Sequence, residues 1–120
     1  MKIMITGNLG YVGPSVIKQL RSTYPNAELI GVDLGIFAHC LTGAKVLPER
    51  LIDTQIYKDI RNVTELDFVG VSAVVHLAAI SNDPMGNSFE RITDEINYQS
   101  SLKIAELAKN AGVSKYVFAS

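Results

Sequence analysis

Eight residues near the amino end have the types and spacing to hold a phosphate: Thr6-Gly7-Asn8-Leu9-Gly10-Tyr11-Val12-Gly13. Glycine lets a backbone turn tightly and come within hydrogen-bonding distance of a pyrophosphate, which no residue with a Cβ does as freely. The flanks supply the rest of the device. Lys2-Ile3-Met4-Ile5 is short and apolar, the pattern of a buried strand, and Pro14 to Arg21 carries Val16, Ile17 and Leu20 at helical spacing. Strand, glycine turn and helix in that order bring free amides and the positive end of a helix toward an anion. Pro14 suits the first helical turn, where a missing N–H costs little. An ordinary tight turn uses glycine too, but three glycines at three-residue intervals between a strand and a helix favour the phosphate cradle.

Asp33 is the second chemical candidate. It lies about twenty residues after Gly13, at the carboxyl end of the second predicted strand, Glu28 to Asp33. A carboxylate there accepts hydrogen bonds from the two hydroxyls of an adenosine ribose and repels a 2′-phosphate. Leu34, Gly35, Ile36, Phe37 and Ala38 offer no Lys or Arg to receive that phosphate. The expected cofactor is therefore NAD rather than NADP.

These residues need a scaffold, and strands alternate with helices along the whole chain. Tyr24-Pro25-Asn26 ends the first helix. Leu34 to Glu49 shows no steady period and is expected to form a long loop. Asp53 to Ile60 has the pattern of a third strand with its polar end at Asp59, and Asn62 is placed to cap a short helix through Val63 to Phe68. Ser72 to Ala79 is apolar on both faces, as an inner strand of a parallel sheet must be. Ser81 to Ser88 has loop composition. A long helix is expected from about Phe89 to Asn110, its buried stripe formed by Ile92, Ile96, Ser100, Ile104, Ala108 and Ala111, with Gly112 as the C-cap. Lys115 to Ala119 is the fifth strand. The whole is expected to be one α/β domain, residues 1–120, a Rossmann-type parallel sheet of strand order 3-2-1-4-5 with helices on both faces.

Composition narrows the function classes. The chain has 120 residues with 48% hydrophobic and 19% charged, enough for one core. Eleven basic against twelve acidic residues leave a net charge of −1, which supports neither nucleic-acid nor membrane-surface binding. Cys40 is the single cysteine, so no intrachain disulfide forms and a reducing, cytoplasmic setting is expected. The longest apolar run, Val69 to Ile80, is interrupted by Ser72 and His76 and is too short to span a membrane. His76 fits a hydrogen-bonded structural histidine better than a base or ligand. With His39 as its one fellow and no cysteine pair, a metal site has no support.

The joint pattern resembles the extended short-chain dehydrogenase/reductases, the NAD-dependent sugar-nucleotide epimerases and dehydratases. The resemblance rests on the glycine turn, on Asp59-Ile60 after the third strand, on His76-Leu77-Ala78-Ala79 in the fourth, on Asn97 in the following helix, and on Lys115 to Ser120. It implies that residues Gly7 to Gly13, including Asn8, Leu9, Tyr11 and Val12, hold the cofactor together with Asp33. It also implies adenine contact at Asp59 and Ile60, and backbone passing beside the cofactor at Leu77, Ala78 and Ala79. Asn97 would be the family's structural asparagine at the cofactor strand, and Ser120 would approach the nicotinamide side. A nucleotide-sugar substrate and a homodimer through the Asn97 helix are further implications.

One departure stands out. The family's acid/base pair is Tyr-x-x-x-Lys, yet Tyr11, Tyr24, Tyr57, Tyr98 and Tyr116 are followed four positions later by Ser15, Glu28, Arg61, Leu102 and Ser120. No catalytic residue is therefore assigned within the chain; the catalytic hydroxyl is expected just after Ser120, and these residues alone are expected to be inactive. The alternative reading is a non-catalytic module that senses NAD(P) with the same fold.

Overall fold

The structure, a computed structural model, describes residues 1–34, 51–78 and 95–119. Its sheet has five parallel strands in the order β3-β2-β1-β4-β5: β1 (Lys2–Thr6), β2 (Glu28–Asp33), β3 (Thr54–Tyr57), β4 (Ala73–His76) and β5 (Lys115–Phe118). The expected strand order is the observed one. Helix α1 (Gly13–Thr23) follows β1, and α2 (Ser100–Asn110) precedes β5.

Strand alternation gives the sheet two apolar faces. Ile3, Ile5 and Leu29 pack with Ile17 of α1 and Ala27. Met4, Val32 and Val74 pack with Ile104 and Ala108 of α2, and with Ile60, Val63, Phe68 and Val71 from the connection between β3 and β4. The two helices thus cover opposite faces, as right-handed crossovers on either side of β1 require.

At the amino end of the sheet, Arg21 in the last turn of α1 gathers three carbonyl oxygens. Its guanidinium donates to Pro25, Ala27 and Leu51, and pairs with Asp53 at 2.8 Å. Asp53 also accepts from the Leu29 amide, and that hydrogen bond, with the Arg21 contact, holds its carboxyl below the usual carboxylate range.

Four local expectations are corrected. The third strand ends at Tyr57 rather than Ile60, because the chain turns into a 3₁₀ turn at Ile60–Asn62 capped by Asp59, whose carboxylate accepts from the Arg61 amide at 2.8 Å. Asn62 does not cap the next turn: Val63 is extended, and Glu65–Phe68 forms a second 3₁₀ turn capped by Thr64, with Asp67 accepting from the Thr64 amide. The fourth strand is Ala73–His76, shorter than the apolar run that suggested it. In the last helix, Ser100, Ile104 and Ala108 are buried as the stripe predicts, but Ala111 is exposed, since it lies past the helix end where Gly112 (φ 82°) turns the chain away. Glu95–Gln99, just before α2, is a π-helical turn. The expected loops at residues 34–49 and 81–88, and most of the first half of the long helix, lie outside the described residues apart from Leu34.

Candidate dinucleotide site

The glycine turn sits at the carboxyl edge of the sheet, above β1, which lies between β2 and β4 where the strand order reverses. Crevices at such switch points are where open parallel sheets bind ligands. Gly7 has φ 73°, and a Cβ there would lie 2.6 Å from the Ala78 amide nitrogen. Gly13 is tighter still: a Cβ would be 1.9 Å from the Asn8 carbonyl oxygen, so only glycine lets α1 start this close to the turn. Gly10 has its imaginary Cβ 3.2 Å from the Gly7 oxygen.

Part of the turn's hydrogen bonding is internal. The Gly7 amide donates to Val32, the Gly10 amide to Gly7, and the Leu9 amide to Asp33 Oδ2 at 2.9 Å. The donors at the mouth are those where α1 begins. Its N-cap, Val12, makes no side-chain cap, and helix geometry leaves the first amides without intrahelical partners. Tyr11 and Val12 are 82% and 54% exposed, so their side chains stand clear of the core at that mouth.

The structure brings several predicted residues to this edge. Asp33 ends β2 and reaches across to the turn; the Leu77 amide donates to the Thr6 carbonyl, which places the Leu77-Ala78 backbone directly beside Gly7. Ile60 is buried in the core on the α2 face. Asp59 is committed to its own turn: Arg61 donates to it through both its guanidinium and its amide, and these bonds pull its carboxyl below the usual range. Leu9 is buried, and Asn8 is wholly so. The Asn8 carboxamide is turned inward and forms a reciprocal pair with Gln55 of β3, Nδ2 to Oε1 at 2.6 Å and Nε2 to Oδ1 at 3.2 Å. Only the backbone of Asn8 is therefore available to a ligand. Ala79 and Ser120 lie outside the described residues.

Gln55 was not singled out by sequence reasoning. The signal that could have found it is Gly31, its register partner in β2. A Cβ on Gly31 would fall 2.4 Å from the Asn8 carboxamide, so a glycine in the middle of an apolar strand marks the place where another side chain enters.

A second network lies behind the turn. Ser101 Oγ donates to the Asn97 carbonyl at 2.9 Å and so uses its single proton. Toward His76 Nε2, 3.0 Å away, it can then only accept, which makes His76 the Nε2–H tautomer and its Nδ1 an acceptor for the Thr6 hydroxyl at 2.6 Å. His76 is 1% exposed and stacks on Phe118, and burial lowers its pKa to about 4. Neutral and fully bonded, it is a structural histidine. Asn97, in the π-helical turn, thereby connects to β4 through its backbone and Ser101. Among the described residues no group of three or more His, Cys, Asp or Glu could hold a metal ion, and no helix is long and apolar enough to cross a membrane.

A parallel sheet of order 3-2-1-4-5, a glycine turn between β1 and the helix that follows, and an acid at the end of β2 define a Rossmann-type dinucleotide-binding fold. A family model, "NAD dependent epimerase/dehydratase family", matches residues 3–120, and the chain belongs to that family. The cofactor expected from Asp33 is the one in the family's own description. Among solved structures, the UDP-glucose 4-epimerase of Thermotoga maritima, determined with UDP-glucose, is similar at 26% identity and a TM-score of 0.80; the match covers 100% of this chain and 38% of that one. The UDP-glucuronic acid 4-epimerase of Bacillus cereus, in complex with NAD, gives 25% identity and a TM-score of 0.78, covering 98% and 39%. An NAD-dependent NDP-hexosamine 5,6-dehydratase of tunicamycin biosynthesis, TunA, shares the fold at 23% identity and a TM-score of 0.78, covering 98% and 36%. The chain thus spans between a third and two fifths of these structures' length. Among curated proteins no sequence match was found.

Proposed function

We propose that the chain is the NAD-binding part of a nucleotide-sugar epimerase or dehydratase. The observation that carries this reading is the contact between Asp33 and the turn. Leu9 N–H to Asp33 Oδ2 brings the acid that would recognise a ribose diol and the backbone that would cradle a pyrophosphate into one site. That arrangement suits an adenosine ribose and the pyrophosphate attached to it. A side chain at Gly7 or Gly13 would strike the chain's own backbone, so glycine is what lets the turn hold the tight shape this role needs.

In this role Gly7 to Gly13 bind the pyrophosphate through backbone amides, and Asp33 orients the adenosine ribose and excludes a 2′-phosphate. Asp59 and Ile60 border the adenine side. Leu77, Ala78 and Ala79 line the path toward the nicotinamide, with Ser120 at its far end and Asn97 steadying β4 from behind. Bound NAD would accept a hydride from a sugar carbon and return it. The 120 residues contain no Tyr-x-x-x-Lys, so by themselves they should turn over no nucleotide sugar. Turnover of UDP-glucose or a related sugar by the purified chain would overturn that part of the reading. Tyr98 and Leu102, 62% and 57% exposed beside the start of α2, support a homodimer through this helix.

Calorimetric titration tests the cofactor assignment. NAD should bind at least about tenfold more tightly than NADP, the size of effect expected from one carboxylate facing a 2′-phosphate. Equal affinity or a preference for NADP would refute it.

A further inference from the structure

The Asn8–Gln55 pair joins three elements at one point. Gly31 of β2 and Gln55 of β3 are register partners, and the Asn8 carboxamide lies over Gly31, where a Cβ would be 2.4–2.5 Å from three of its atoms. Both amides meet edge to edge through two hydrogen bonds. Asn8 is completely buried and Gln55 half-buried, so leaving the Asn8 amide unpaired is costly. The peptide linking Asn8 to Leu9 carries the N–H that holds Asp33 Oδ2. Anchoring the Asn8 side chain therefore sets the plane of that peptide, and with it the direction in which the Asp33 carboxylate points at the end of β2.

We infer that Asn8 and Gln55 are positioning residues for cofactor discrimination: the pair orients the Leu9 amide, which orients Asp33, which separates NAD from NADP. The inference rests on the reading of Asp33 given above. It explains why β2 keeps a glycine at position 31, in the middle of an otherwise apolar strand, and why a polar Gln55 sits on β3 beside it. A pair that served packing alone would not need to lie next to the one turn amide that binds the acid.

The consequence is a change in selectivity as well as in affinity. Gln55→Met removes the partner while keeping the length of the side chain, and Gly31→Ala displaces the Asn8 carboxamide from the other side. Each should weaken NAD binding about tenfold, the effect of losing one hydrogen-bonded pair, while weakening NADP binding less, so the NAD-to-NADP preference falls severalfold. Asn8→Ala combined with Gln55→Met should be no worse than the more severe single change, because both remove the same interaction.

The experiment is calorimetric titration of NAD and of NADP into the wild-type chain and these variants, with circular dichroism to verify folding. Hydrogen exchange at the Leu9 amide is measured alongside; it should be protected in the wild type and exchange faster in Gln55→Met. Where Gln55→Met does not fold, Gln55→Asn takes its place, since one methylene less breaks the pair but keeps the polarity. Equal loss of NAD and NADP affinity, with the preference intact, would overturn the inference and leave the pair a packing feature. Unchanged binding, or an unprotected Leu9 amide in the wild type, would overturn it as well. Asp33→Asn separates the two levels. A preference that survives Asp33→Asn refutes the role of Asp33 itself, whereas a preference lost in Asp33→Asn but kept in the pair variants refutes only the positioning role.

Discussion

Acid should weaken this fold well before its carboxylates protonate, and His76 is the reason. The ring is 1% exposed, accepts from the Thr6 hydroxyl at Nδ1 and donates to Ser101 from Nε2. A second ring proton would therefore have to displace the Thr6 hydrogen bond and carry a charge into the core. Burial accordingly takes its pKa from the ordinary value of about 6.5 down to about 4. The unfolded chain thus binds this proton more readily than the folded one. Stability from the neutral ring is fully present above about pH 6.5 and is lost as pH falls toward about 4, after which the effect levels off. A displacement of that size, at about 1.4 kcal/mol per tenfold, is worth about 3 kcal/mol in all, of which about 2 kcal/mol disappears between about pH 7 and about pH 5. Asp53 and Asp59, both held below the usual carboxylate range, lose their contributions only at lower pH and do not overlap that window. Urea unfolding measured across this range, for the wild type and for His76→Gln, isolates the effect: every other titration is common to both proteins and cancels in the difference. The wild type should lose about 2 kcal/mol more than the variant on going from about pH 7 to about pH 5. Parallel stability curves, or a His76 ring titrating near its ordinary value by NMR, would refute the argument.

Gly10→Val should reduce NAD binding by at least about a hundredfold while shifting the melting midpoint by no more than a few degrees, since its Cβ would meet only the Gly7 oxygen at 3.2 Å while the isopropyl group fills the turn's open side. Calorimetry and a thermal melt on one sample check both halves, and retained affinity would remove Gly10 from the cradle. Phe68→Ala should cost about 3–5 kcal/mol by denaturant unfolding, because Phe68 is fully buried at the centre of the α2-side core. A loss below about 1 kcal/mol would show that the second 3₁₀ turn is not fixed by that side chain.

Amino-acid type and spacing settled much about this protein before any tertiary contact was known. Glycines at 7, 10 and 13 between a strand and a helix, and an acid at the end of β2, marked the candidate cofactor site; strand–helix alternation led to the sheet order; the Ser100, Ile104 and Ala108 stripe identified the buried face of α2. These features are local, and local periodicity and turn chemistry are what a sequence carries directly. Where two turn formers competed within a few residues, the same reasoning failed. Asn62 has capping chemistry, yet Asp59 and Thr64 do the capping, because the extended backbone at Val63 divides the segment into two turns.

Tertiary structure alone decided which polar groups serve the ligand site and which serve the protein. Asn8 stands in the middle of the phosphate turn but spends its side chain on Gln55, a residue 47 positions away. His76 is locked between Thr6 and Ser101, 70 and 25 positions away, on three separate elements. Partners at such separations leave no periodic trace in the chain. They become neighbours only when parallel strands bring their carboxyl ends to one edge. There the cost of leaving a buried polar group unpaired selects the partner that each one takes.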